Sequence, residues 1–138
     1  MLRFLKKQTP KFLYINQTFG NKPFTLLDVG AGNRSASKTK AMYPNCEYHG
    51  LDIVRDFNNH ESDFAAMHRF YELDLTQLKL ESIPDSYFDF IRMAHVIEHL
   101  YNGDLVLPAL IKKLKPNGYF YIEYPGEKST RLPSMHGT

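Results

Sequence analysis

The residues able to do chemistry begin with an acid set against a glycine turn: Asp28, then Gly30, Ala31 and Gly32. Glycine carries no Cβ, so the backbone there can turn tightly and come close to a ligand. Two more acids, Asp52 and Asp74, close later apolar runs and suit the mouth of the same crevice. Farther on, His95, Glu98 and His99 stand at the His-x-x-Glu-His spacing of one zinc-peptidase group. On a helix the two histidines would share a face. His95 falls instead where a strand gives way to a helix, and no other ligand cluster is evident, so no metal is expected.

These side chains need strands that end beside one another. Leu26, Leu27 and Val29 make the short apolar run of a strand covered on both faces, with Asp28 at its carboxyl end. Ser35 or Asn33 is expected to cap the helix after the turn, which runs over 36–43 and stops at Pro44. The second strand is expected over 46–53, ending at Asp52 and Ile53. The third is expected over 69–75, ending at Asp74 and Leu75, and the fourth over 87–94, ending at Ala94. Residues 54–67 read as irregular or weakly helical. Helical signal covers 96–100 and 104–115, 116–118 is a sharp turn, and 119–124 is strongly β-prone. Strands alternating with helices predict an α/β protein with a mostly parallel sheet of about five strands and helices on both faces. Open sheets of that kind bind ligands outside the carboxyl ends of their strands.

The bulk numbers narrow the field. The chain has 138 residues, 43% hydrophobic and 23% charged, which suits one globular domain over 1–138. A basic segment covers 1–22, in which Leu2, Phe4, Leu5, Phe12, Leu13 and Ile15 suit packing on the sheet and Arg3, Lys6, Lys7 and Lys11 face water. An irregular tail covers 126–138. A net charge of +2 gives no electrostatic footprint for nucleic acid. No apolar run approaches the ~20 residues that span a bilayer, so no stable membrane insertion is expected. The start of the chain is too short and broken for a secretory signal. The single cysteine, Cys46, precludes an intrachain disulfide and reads as a buried small hydrophobe. A cytoplasmic protein is the expectation.

Four stretches, in order, resemble the class I S-adenosylmethionine-dependent methyltransferases of the small-molecule type. They are LLDVGAG at 26–32, HGLDI at 49–53, FDFIRMAHVIEHL at 88–100 and LKPNGYFYIE at 114–123, running on to Pro125. The resemblance covers roughly 24–125. It implies a Rossmann-like three-layer αβα sandwich with strand order 3-2-1-4-5, and S-adenosyl-L-methionine as cofactor, with S-adenosyl-L-homocysteine as product. It also implies roles. Asp52 would accept both ribose hydroxyls, with Ile53 beside it. Asp74 would meet the adenine amino group, with Leu75 beside the ring. Asp28, Gly30, Ala31 and Gly32 would face the methionine part, and Ala94 and His95 would close that end. His95 is the candidate general base, since an imidazole can take up a proton near neutral pH. The expected partner is a small-molecule acceptor.

The chain departs from the family in two places. Where members often carry a third glycine stands Arg34, expected to neighbour the site without binding the ligand. Members usually add two strands after the fifth, and this chain stops. Either it is a piece of a longer protein or another chain completes the site, and the bare edge of 119–124 invites a homodimer. A nicotinamide dehydrogenase would also use a strand, a glycine turn and a distal acid. Ser35 stands where its third small residue belongs, and Asp28 just before the turn suits a methyl donor better. A non-catalytic cofactor-binding or scaffolding domain is the remaining alternative.

Overall fold

The computed structural model describes residues 10–56 and 58–124. The expected packing of Leu2, Phe4 and Leu5, the solvated Arg3, Lys6 and Lys7, and the irregular tail at 126–138 lie outside the described residues. In chain order the elements are α1 (Pro10–Thr18), β1 (Phe24–Val29), α2 (Ser35–Met42), β2 (Cys46–Asp52), α3 (Glu61–Ala65) and β3 (Arg69–Glu72). A 3-10 turn (Leu75–Gln77) leads on to β4 (Phe88–Ala94). A second 3-10 turn (Ile97–His99) precedes α4 (Gly103–Ile111) and β5 (Leu114–Glu123).

The strands form one sheet in the order β3-β2-β1-β4-β5, and every pairing is parallel. This is a Rossmann-like α/β fold. Alternation along the strands divides the core. On one face Leu27, Val29, Leu51, Ile91 and Met93 pack with Val106 and Leu110 of α4 and with Leu80 and Ile83. On the other, Leu26, Tyr48 and Phe90 pack with Ile15 of α1 and Ala36 of α2, and Phe12 joins them. Both faces of β1 are therefore buried, as its unbroken apolar run requires. Cutting a fully buried leucine such as Leu27 to alanine in such a core costs about 2–5 kcal/mol.

Several expected boundaries shift. β2 ends at Asp52 and β3 at Glu72, so Ile53, Asp74 and Leu75 stand just past the strands, on the loops above them. Neither Ser35 nor Asn33 caps α2. The cap position belongs to Arg34, which makes no side-chain cap bond, because the Ser35 hydroxyl donates to Asp28 at 2.6 Å instead. The segment 96–100 is not an α-helix but holds the second 3-10 turn. The turn expected at 116–118 lies inside β5 as a bulge: Phe88 aligns with Leu114, but Phe90 aligns with Tyr119. Extra residues on one strand of a pair accommodate Pro116, which has no amide hydrogen to give to a ladder.

Candidate functional site

The glycine turn is fixed from both sides. The amides of Gly30 and Ala31 donate to the carbonyl of Leu51 at 2.8 and 3.1 Å, tying the turn to the end of β2. Gly30 has φ +88°, and a Cβ there would stand 2.7 Å from Val96 Cγ2, so only glycine fits without strain. Asn33 and Arg34 both adopt left-handed backbone, at φ 57° and 60°. A strap from the β2–α3 connection holds them. Asn59 Oδ1 accepts from the Arg34 amide at 3.0 Å, and Asn59 Nδ2 donates to the Ala31 carbonyl at 3.1 Å. The Arg34 side chain swings away to the buried Asp63, at 3.2 Å, and so leaves the crevice open where the family's glycine would.

Beneath the turn lies a buried ion pair. Asp28 and Arg92 are register partners on β1 and β4. Arg92 Nε and Nη2 donate to the Asp28 carboxylate at 3.0 and 2.9 Å, Ser35 Oγ donates at 2.6 Å, and the Tyr48 hydroxyl also donates to it. Arg92 is fully buried and Asp28 nearly so. Burial alone would push the Asp28 carboxyl up. The Arg92 guanidinium and the hydroxyls of Ser35 and Tyr48 outweigh it and hold the pKa below the usual value. Asp28 thus borders the crevice with its carboxylate committed inside the protein. Sequence reasoning missed this arginine. The signal was a cation between Ile91 and Met93 in a largely apolar strand, on the same face as Phe90.

Above the sheet the strand ends open into one cleft of about 790 Å3. That is within the ~300–1,000 Å3 usual for small-molecule sites. Asp28, Gly30, Gly32, Asp52, Ile53, Asp74, Leu75, Ala94 and His95 all line it. Ala31 does not; it is buried, packed toward Gly50. His99 lines it too, as do Lys38, Leu51, Thr76, Val96 and Tyr101, which were not assigned to the site from sequence. Asp52 accepts from the amide of Ile53 at 2.8 Å. Partial burial raises its pKa, against the pull of the Ile53, Val54 and Gly32 amides. Ile53 is 60% exposed, a bare aliphatic side chain beside that carboxylate. Asp74 caps the first 3-10 turn: its Oδ1 accepts from Thr76 N at 3.0 Å and Thr76 Oγ1 at 2.7 Å.

His95 sits at the end of β4 with φ 58°, an uncommon conformation for a residue with a side chain. Its amide donates to the Glu123 carbonyl at 2.7 Å, and its Nε2 lies 2.9 Å from Glu123 Oε2. Glu123 also accepts from the Tyr121 hydroxyl at 2.6 Å. Glu98 Oε2 lies 3.9 Å from His95 Nδ1 and 3.7 Å from His99 Nε2. His95 stands outside the short 3-10 turn that holds His99, so the two do not share a helix face as the zinc-peptidase spacing would need.

Known proteins agree with this architecture. A crystal structure of a SAM-dependent methyltransferase from Archaeoglobus fulgidus aligns with a TM-score of 0.62 at 25% identity, covering 83% of this chain and 51% of that one. A Burkholderia thailandensis 1,6-didemethyltoxoflavin-N1-methyltransferase, solved with bound 1,6-didemethyltoxoflavin and S-adenosylhomocysteine, aligns at 0.64 and 20% identity, covering 82% and 49%. Phosphoethanolamine N-methyltransferase 2 of Haemonchus contortus, solved with phosphomonomethylethanolamine and S-adenosylhomocysteine, aligns at 0.63 and 20%, covering 81% and 27%. The chain therefore spans between about a quarter and a half of the length of these structures. No curated protein matches the sequence at a significant level. The family model described as a methyltransferase domain matches residues 1–136, and the chain belongs to that family.

Proposed function

We propose that this chain binds S-adenosyl-L-methionine in the cleft at the strand ends and passes its methyl group to a small-molecule acceptor. The observation that carries the reading is the convergence of Asp52, Ile53, Asp74, Leu75, the glycine turn and His95 on one cavity. The residues present fit such a cofactor. The Asp52 carboxylate offers acceptors for a pair of ribose hydroxyls, and the exposed Ile53 offers a flat apolar surface beside it. Asp74 and Leu75 offer an acceptor and an apolar contact for an adenine. Gly30 and Gly32 let backbone approach the methionine part, with Ala94 and His95 at that end.

When bound, the sulfonium supplies an activated methyl group for in-line transfer, leaving S-adenosyl-L-homocysteine. The protein mainly supplies alignment and exclusion of water. His95 serves as the base for an oxygen or nitrogen acceptor. With Nε2–H directed at Glu123 Oε2, Nδ1 takes the acceptor's proton and the carboxylate steadies the charged ring. Similar structures hold the small molecules phosphomonomethylethanolamine and 1,6-didemethyltoxoflavin, which supports a small acceptor here. The near-neutral charge speaks against nucleic acid. No helix among the described residues is long and apolar enough to cross a membrane. We place the chain in the cytoplasm, consistent with a lone, buried Cys46 thiol whose pKa burial pushes up to about 12.

The test is calorimetric titration of the folded chain with S-adenosyl-L-methionine and, separately, S-adenosyl-L-homocysteine. Saturable one-to-one binding is expected for both. A folded chain that binds neither would overturn the reading and leave a scaffolding domain in its place.

A further inference from the structure

The fold assembles a second group of ligating side chains at the opposite end of the sheet from the cleft. Glu47 and His49 alternate onto one face of β2, and His68 immediately precedes β3. The amide of His68 donates to the Tyr48 carbonyl at 2.7 Å, which sets its ring against theirs. The two imidazole rings lie 5.0 Å apart, inclined by 34°. One ligand atom from each of the three residues lies within 4.8 Å of the others. Glu47 Oε2 is 2.8 Å from His49 Nε2 and 3.9 Å from His68 Nε2.

We propose that Glu47, His49 and His68 bind one divalent first-row transition cation of the zinc or cobalt class. Around such an ion, bonds of ~2.0–2.1 Å in tetrahedral directions put ligand atoms roughly 3.3 Å apart. The observed separations bracket that spacing, so small rotations of the exposed His68 suffice to close the site. Two imidazoles and a carboxylate suit zinc, cobalt or nickel rather than calcium or magnesium, which take oxygen ligands.

The surroundings are arranged as a metal's outer partners are. The Tyr71 hydroxyl lies 3.0 Å from His49 Nδ1, so this ring nitrogen is engaged while Nε2 faces the carboxylate. The Tyr87 hydroxyl donates to Glu47 Oε2. His49 is 3% exposed, its ring set edge-on to Phe88 at 4.9 Å, which fixes it without a ligand. His68, with its side chain 58% exposed, leaves the remaining coordination position to water. Occupancy would clamp the loop before β3 onto β2, at the edge of the sheet.

The test is titration of the untagged chain with cobalt(II) followed by visible absorption, and with zinc followed by calorimetry. One equivalent is expected to bind with micromolar affinity and to raise the melting temperature. His68→Asn, at an exposed position that does not threaten folding, should weaken binding by about tenfold or more. Glu47→Gln should do the same, and His99→Asn, in the cleft, should leave it unchanged. Absence of saturable binding by the wild-type chain would overturn the proposal. So would binding that His68→Asn leaves intact, or binding that His99→Asn removes.

Discussion

Arg92 is the residue whose loss should be felt most. With it gone, Asp28 stays buried and its charge loses its partner, and breaking a buried pair from one side costs about 3–5 kcal/mol. We expect Arg92→Met to lose that much in urea unfolding at neutral pH. The pH dependence should change sign as well. In the wild type the folded pKa of Asp28 lies below its unfolded value. Its contribution is therefore full above ~3.9 and is lost as pH falls through the lower folded value. Without Arg92, burial prevails and raises the folded pKa, so stability should be greater in acid and fall as pH rises. Unfolding curves collected across pH for both proteins separate the two cases. Asp52 runs the other way already. Its folded pKa is raised, so stability is fullest below the unfolded value and declines as pH rises through the folded one. Asp52→Asn should therefore stabilise the unliganded protein at pH 7. By calorimetry it should weaken cofactor binding by about 1–3 kcal/mol, the size of a buried partner left unmet. The acids and glycines of the cleft were legible in the sequence because their positions at strand ends define them. Arg92 was not, because its meaning comes from the register that sets it against Asp28.

At the scale of elements, the glycine turn depends on its strap. Asp63, on α3, accepts from the Ser37 hydroxyl, from the His60 amide at 2.6 Å and from Arg34 at 3.2 Å. Asp63→Ala leaves those donors without their acceptor and should cost about 1–3 kcal/mol in chemical denaturation. It should also weaken cofactor binding, because Arg34 carries the left-handed backbone at the turn. Gly30→Ala strikes the turn directly. A left-handed φ and a contact with Val96 should cost on the order of 1–3 kcal/mol, read as a lower melting temperature. Each strand had a counterpart in the sequence, but β5 was expected only over 119–124; its first residues, Leu114 and Lys115, carry helical signal and pair as strand instead. The strap was not visible, since 54–67 reads as polar and irregular or weakly helical, and nothing local shows that Asn59 and Asp63 reach back to Arg34. The bulge in β5 was half visible: Pro116 and Gly118 announced a turn, and only the pairing with β4 shows that the strand runs through it.

Across the whole molecule, β5 ends the sheet, and among the described residues no strand pairs with its outer edge. Tyr119 and Tyr124 remain about half exposed there. We expect concentration-dependent association through that edge in sedimentation experiments, reduced by Tyr119→Lys, since charge on an edge strand opposes pairing. A monomer at all concentrations would argue against pairing through that edge. The parallel sheet was legible because strands alternate with helices, whereas the order of the strands came with the family resemblance of the four motifs and is the order observed. The placement of β1 at the centre has a further consequence, for the time course of folding. β1 meets β2 after one short helix, but Leu26 faces Phe90 on β4 and Asp28 meets Arg92 across 64 residues of chain. Closing so long a loop is slow, and contacts of that range delay a transition state. The cleft floor, made from β1 and β4 together, is therefore expected to form late, and until it does Asp28 has the hydroxyls of Ser35 and Tyr48 within short chain reach but not the charge of Arg92.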